Sequence, residues 1–355
     1  MYKYKTHFIS ENIAPVGAKQ IGVYNSDGKK IGDVPLGSLT PPKTQKRYSF
    51  MAISDPHIPS TGDDGGRYGT AVPDLQRALT YAENSDCDFT CICGDLTSAG
   101  TDDQLARYKS VVDAYSKPVY AVGGNHETAT GYMTYDRLTP YTGKPMYYSF
   151  NCDNDVYIML SHYGKQQSNG GWLSAEFVTV EELQWLYETL EANRNKRCFV
   201  FNHVYPYEDG VGDANRIYNG RYWLTQDGGV GQAFISLLKH YKNTILFHGH
   251  SHLRFKLQEL DNKANYSSDV GYRSVHIPSI AVPRELGNNS AVYAEDESEG
   301  YIVDVYDDCI VLNGRDFIDN EGDGHWLPIA TYKIDTTLQT VEANTFTDPT
   351  GTITT

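Results

Sequence analysis

Five short apolar runs in this chain each stop abruptly on Asp, Asn or His. YSFMAIS ends on DPH at residues 55–57, DFTCIC on Gly94-Asp95, and PVYAVGG on NHE at 125–127. CFVF ends on Asn202-His203, and TILF on HGHSH at 248–252. Runs this short and this apolar read as strands buried on both faces. Helical patterns separate the first three, over PDLQRALTYAE (73–83), with proline in its first turn, and DDQLARYKSVVDAY (102–115). Strand–helix–strand alternation of this kind builds a parallel sheet whose sites lie beyond the carboxyl ends of the strands. The polar residues fall at those ends.

The remaining pattern fills out the architecture. MYYSFNCDNDVYIMLSHY (146–163) reads as a β-hairpin and TVEELQWLYETLEANRN (179–195) as an amphipathic helix. Beyond residue 254 helical signals fade, and RFKLQEL, YRSVHIPSI, GYIVDVYDDCIVLNGRDF and ATYKID read as mainly antiparallel strands. The expected fold is α/β, a four-layer αββα sandwich of two mixed sheets flanked by helices. Residues 1–44 stand apart as an appendage and linker: two strand-like runs around NSDG suggest a β-hairpin, and LTPPKTQKR follows with two prolines. Residues 45–334 form the main domain, and the threonine-rich 335–355 is expected to be a flexible tail or a connection to something else.

Taken together, the strand ends deliver Asp55 and His57, Asp95, Asn125 and His126, His203, and His250 and His252. A mixed oxygen and nitrogen set of this kind suits a pair of borderline divalent ions such as Mn, Fe or Zn. Burying so many polar groups without a metal would be costly. In HGHSH, strand alternation would turn all three imidazoles to one face, unless Gly249 has already ended the strand.

The ordered blocks D-P-H, G-D, G-N-H-E, a later His and G-H-S-H resemble the calcineurin-like metallophosphoesterase superfamily over about residues 46–334. The looser likenesses GDLT and EELQWLYETL point toward its bacterial branch of class III cyclic-nucleotide phosphodiesterases and glycerophosphodiesterases. The resemblance implies two divalent, or di- and trivalent, transition-metal ions. Asp55, His57 and His252 would hold one ion, Asn125, His203 and His250 the other, and Asp95 would bridge them. It further implies a bridging hydroxide as nucleophile and His126 as general acid, with Glu127 orienting or charging its imidazole. The implied reaction is hydrolysis of a small phosphate ester, first a phosphodiester, alternatively a monoester. Gly is absent where purple acid phosphatases place it, since His57 stands there, and Ser98 replaces their tyrosine ligand. GDLTSAG also departs from the G-D-x-x-D-R-G of protein serine/threonine phosphatases.

Other residues draw weaker readings. PSTGDDGGRYG (59–69) is a long glycine-rich rim after His57, in which Arg67 and Tyr68 are candidates to touch substrate. His248 reads as packing behind the site, and His162 and His276 as structural or pocket-wall residues. His7, His240 and His325 have no motif context. The net charge of −15 argues against a nucleic-acid track or an anionic membrane surface, though a metal centre can dominate its own local field. No apolar run approaches a membrane span, and the N-terminus lacks a signal-peptide core, so the chain as written is expected in the cytoplasm. The six cysteines lack zinc-knuckle spacing and read as structural. A rival of another class is a non-catalytic metal-binding module of a larger assembly, against which the retained His126 weighs.

Overall fold

Two six-stranded mixed sheets lie face to face in a computed structural model that describes residues 20–24, 30–35, 42–128, 137–161, 165–166, 172–173, 178–206, 229–256, 265–269, 271–286, 291–293, 297–318 and 325–354. The N-terminal hairpin is present: β1 (Gln20–Tyr24) pairs antiparallel with β2 (Lys30–Pro35). The first sheet begins with β3 (Tyr48–Ile53), which is buried throughout. Helix α1 (Ala71–Asn84) follows and turns Leu75, Ala78, Leu79 and Ala82 inward at helical spacing. Next come β4 (Phe89–Cys93), α2 (Asp102–Val112) with Thr101 capping it through Gln104 N, and β5 (Val119–Val122).

Two single-turn helices, α3 (Asn125–Thr128) and α4 (Thr139–Thr142), lead to the hairpin β6 (Tyr147–Cys152) and β7 (Asp155–Leu160). A two-residue pair, β8 (Lys165–Gln166) and β9 (Trp172–Leu173), precedes α5 (Val180–Ala192). A capping box between Thr179 and Glu182 starts α5. The second sheet continues through β10 (Cys198–Asn202), α6 (Val230–His240) and β11 (Thr244–His248), then β12 (Tyr266–Ser267) and β13 (Arg273–His276). A small pair, β14 (Arg284–Leu286) with β15 (Ala291–Tyr293), stands beside it. The chain returns to the first sheet as β16 (Glu299–Val305), β17 (Cys309–Asp316) and β18 (His325–Asp335).

The first sheet has the order β18-β17-β16-β3-β4-β5 and the second β12-β13-β11-β10-β7-β6. Strands β3, β4 and β5 run parallel, as do β7, β10, β11 and β13. After residue 254 the described strands pair mainly antiparallel, as expected: β12 with β13, β14 with β15, and β17 with both β16 and β18; β13 in addition pairs parallel with β11. Arg254–Lys256 are not strand, and the rest of RFKLQEL lies outside the described residues. Between the sheets sits an aromatic core in which Phe50 meets Phe89, Tyr157, Phe199 and Phe247. Helices α1 and α2 cover the outer face of the first sheet, and α5 and α6 that of the second. The four layers are those expected.

The threonine-rich end corrects its reading as a flexible tail. Val341, Phe346 and Ile353 are buried in the apolar layer of α5 and α6, and Phe346 lies against Tyr187, His240 and Tyr241. Asn243 exchanges two hydrogen bonds with the backbone of Gln339. Three apolar residues spaced through a polar segment suffice to bind it to the helices. All six cysteines are free, and five are buried. No helix among the described residues is long and apolar enough to cross a membrane. His7 and His162 lie outside the described residues.

Candidate metal centre

Five of the parallel strands, β3, β4, β5, β10 and β11, hand their polar residues to the same edge of the sandwich, and the backbone there bends sharply. Asp55, His57, Asp95, His250 and His252 all have positive φ, between 48° and 72°. Left-handed backbone is disfavoured for side-chain-bearing residues and persists only where the surroundings enforce it. Hydrogen bonds between loops do so here: His57 N donates to Asp95 O (2.9 Å), Gly249 N to His203 O (3.0 Å) and His250 N to Asp55 Oδ2 (3.1 Å).

Two glycines allow the loops to close this tightly. Gly94 has φ of +88°, and a Cβ on it would stand 2.3 Å from His203 Nδ1. A Cβ on Gly249 would meet Ser54 Oγ at 1.9 Å and Asp55 Oδ2 at 2.5 Å. Gly249 thus ends the alternation of β11: His248 remains in the strand, while His250 and His252 enter the turn beyond it.

The side chains converge in two groups that share one carboxylate. Asp55, His57, Asp95 and His252 form one; Asp95, His203 and His250 form the other. In each, one potential ligand atom per residue lies within 4.8 Å of all the rest. His252 Nε2 is 2.9 Å from Asp55 Oδ1 and 3.0 Å from His57 Nε2. Asp95 Oδ2 is 3.2 Å from His203 Nε2 and 3.7 Å from His57 Nε2. His250 is half-buried and the other members are buried.

The donor set fits cations. His203 Nδ1 donates to Cys93 O (2.7 Å) and His252 Nδ1 to Val282 O (3.2 Å), so in the neutral ring each Nε2 presents a lone pair. Those lone pairs face the carboxylates of Asp95 and Asp55, an arrangement that only positive charge makes favourable. Burial holds His57, His250 and His252 well below the usual imidazole range, in the neutral form that binds metal. Burial also pulls His203 down, but the carboxylates of Asp95 and Asp55 outweigh it and hold it at about 10, so a cation bound there would take the place of its Nε2 proton. Backbone carbonyls fixing ring tautomers are the usual support for histidine ligands.

Asn125 opens α3 beside this cluster, and the backbone N of His126 donates to Asp95 Oδ1 (2.9 Å). His126 is half-buried, with Nε2 3.8 Å from Asp95 Oδ2 and its ring edge-on to that of His57. Its Nδ1 donates to Ser98 O at 2.6 Å. Glu127 departs from the expected role. Its fully buried carboxylate accepts from Thr97 N, Thr97 Oγ1 and Gly124 N, tying the GDLT turn to the GNHE turn. Burial and the nearby charge of Asp95 push it up to about 7. The group that orients His126 is the Ser98 carbonyl, which no side-chain motif announces.

Behind the ligands, His248 is buried against Tyr205 and His276, and His276 Nε2 lies 2.9 Å from Ser251 Oγ. Both histidines support the turn that carries His250 and His252. Ser54 Oγ, 2.6 Å from Asp55 Oδ2, and Ser279 Oγ, which donates to Asp55 O at 2.8 Å, fix the first loop. Neither serine carried a signal in the sequence beyond its position next to a motif.

A family model described as calcineurin-like phosphoesterase matches residues 48–254. Among solved structures, a dimetal phosphatase from Danio rerio superposes with a TM-score of 0.57 at 15% identity, covering 82% of this chain and 100% of that one. A purple acid phosphatase from yellow lupin (Lupinus luteus) seeds gives 0.51 at 14% identity, covering 89% of this chain and 59% of that one. At these identities the likeness is one of fold. No curated protein matches the sequence.

Proposed function

As a member of the calcineurin-like phosphoesterase family the chain is a phosphoric ester hydrolase, and we propose that it works with two divalent ions held by the residues gathered at the strand ends. Asp55, His57 and His252 would hold one ion, Asn125, His203 and His250 the second, and Asp95 both. The observation that carries this reading is the pair of ligand groups sharing Asp95. When bound, the ions would supply Lewis acidity to the phosphoryl oxygens and lower the pKa of water toward neutrality.

The chain's own residues do the rest. Asp95 is fixed by the His126 backbone N–H on Oδ1, leaving Oδ2 toward the imidazoles. Asn125 adds a ligand without adding negative charge, which favours an anionic substrate. His126, with Nδ1–H engaged by Ser98 O, holds in its protonated form a second proton on Nε2, and gives it to the departing alkoxide oxygen. Its 29% exposed side chain stands at the solvent edge, so a bulky leaving group can depart past it. Such room suits phosphodiesters and phosphomonoesters alike, and a diester substrate is the reading tested first.

The test is a panel of phosphate mono- and diesters assayed with the protein loaded with Mn, Fe or Zn. Hydrolysis by the wild type, and its loss together with metal in Asp95→Ala, is expected. An Asp95→Ala protein that keeps both metal and turnover would sink the assignment.

A further inference from the structure

The loop after His57 is tied down over the centre. Arg107 on α2 donates from Nη1 to Pro59 O (3.2 Å) and Ser60 O (2.8 Å), and from Nη2 to Asp64 Oδ1 (2.5 Å). Thr61 N donates to Asp103 Oδ2 at 3.1 Å. The segment then closes as one 3-10 turn, Gly66–Tyr68. On that turn the Tyr68 ring stacks on the ring of His57, with centroids 4.8 Å apart and planes at 21°. Arg67 lies in turn over the Tyr68 ring, its Cζ 5.0 Å from the centroid. The order His57, Tyr68, Arg67 runs from the buried cluster outward to an exposed guanidinium.

His126 meets the same His57 ring from another side, with centroids 4.5 Å apart and planes at 78°. His126 and Tyr68 therefore flank the same His57 ring, with Arg67 one ring further out on the Tyr68 side. A leaving group whose oxygen takes a proton from His126 and that reaches past the His57 ring would come to Arg67. A second arginine borders the centre: Arg284 N donates to His252 O (2.7 Å), and Arg254 N to Arg284 O (3.1 Å), which sets Arg284 beside the ligand turn. A chain of net charge −15 repels polyanions at long range, so cations placed at the rim act against the overall field. Stacking on a ring holds a guanidinium's donors in a fixed fork, the geometry that reads carboxylate or phosphate.

We propose that Arg67, positioned by Tyr68, selects phosphate esters whose leaving part carries a second anionic group, a carboxylate or a further phosphate. This rests on the hydrolytic reading above and deepens it. Arg67 is a specificity residue here, and His126 remains the proton donor.

The experiment compares two esters that differ in a single carboxylate, phenyl phosphate and 3-carboxyphenyl phosphate, on the metal-loaded full chain. The wild type is expected to prefer the carboxylated ester in kcat/KM. In Arg67→Gln that preference should fall about tenfold, chiefly through KM, the size of one charge-assisted contact. Arg67→Lys should restore part of it, and Tyr68→Ala should lose it although the arginine remains. An unchanged preference in Arg67→Gln overturns the proposal, as does a wild type that hydrolyses both esters equally well. A metal-loaded wild type that hydrolyses neither of these esters nor any diester of the panel above overturns the hydrolytic reading itself, and the selectivity with it; one that hydrolyses diesters of that panel but neither aryl monoester overturns the selectivity alone.

Discussion

His126 Nδ1 stands 2.6 Å from the carbonyl oxygen of Ser98, and this contact decides which of its nitrogens faces the cluster. A carbonyl only accepts, so Nδ1 is the protonated nitrogen of the neutral ring and Nε2 is left to cycle a proton. His126→Ala should lower kcat by about 10²- to 10⁴-fold on alkyl phosphates, the range of general acid catalysis. The loss should be much smaller on 4-nitrophenyl esters, whose leaving group needs little protonation. Metal content, measured by elemental analysis, should stay at the wild-type level. An equal loss on both classes of ester would remove His126 from the donor role.

Much of this site was legible in the sequence because each ligand is a strand-end residue, and strand ends are marked by the switch from apolar to polar. Asp55, His57, Asp95, His203, His250 and His252 each follow such a switch and lie together in two groups that share Asp95. What the sequence hid was held by backbone or by residues with ordinary spacing. The Ser98 carbonyl leaves no trace in residue type, and periodicity does not encode that β13 pairs parallel with β11. A carboxylate next to a histidine suggests a partnership, but sequence does not show where that carboxylate turns. In α3 adjacent side chains point apart, so Glu127 turns inward to Thr97 and Gly124. The tail looked loose because its three anchoring residues are diluted among threonines.

Glu127 gives a prediction opposite to that for a charge partner of His126. Glu127→Ala strips the acceptor from the Thr97 and Gly124 N–H groups, both buried with it, at a cost of about 2–4 kcal/mol for two orphaned donors. Thermal denaturation should show a lower Tm. The acidic and basic limbs of the kcat profile, measured on the same protein, should keep their positions. A displaced limb with an unchanged Tm would return Glu127 to the catalytic role.

Gly249 is a steric requirement that metal binding should report. The methyl of Gly249→Ala would overlap Ser54 Oγ at 1.9 Å and Asp55 Oδ2 at 2.5 Å. Either Asp55 or the 249–252 turn must then move. Loss of about 2 kcal/mol or more in stability is expected, in the range for overpacked sites. Metal affinity should fall at least tenfold, read by titration against a chelator. Wild-type affinity in this variant would mean that Asp55 is not a ligand.

The C-terminal segment should act as part of the fold. Phe346 is 5% exposed and lies 5.5 Å from Tyr187 and 5.3 Å from His240, ring to ring. Phe346→Ala is expected to cost about 3 kcal/mol, the low end for a buried phenylalanine. Urea denaturation should register this as a lower midpoint, with turnover little changed at moderate temperature. A midpoint equal to wild type would show that the segment does not hold the α5 and α6 layer in solution.

Glu182 sets a pH dependence of stability remote from the metal centre. Its carboxylate accepts from Thr179 N at 3.0 Å in the capping box and is 1% exposed, and burial pushes it up to about 8 from an ordinary 4.5. Between those two values the folded chain keeps a proton that the unfolded chain has released. The unfolded state therefore binds fewer protons there, and stability falls as pH rises toward 8. The favourable field of the helix N-terminus opposes part of this, so the net loss should be on the order of 1–3 kcal/mol. Glu182→Gln keeps the capping geometry without a titrating group. It should flatten this part of the profile and be more stable than wild type at pH 8, with the advantage shrinking toward pH 5. Parallel Tm profiles for the two proteins from pH 5 to 8 would mean that Glu182 is already ionised in the folded state.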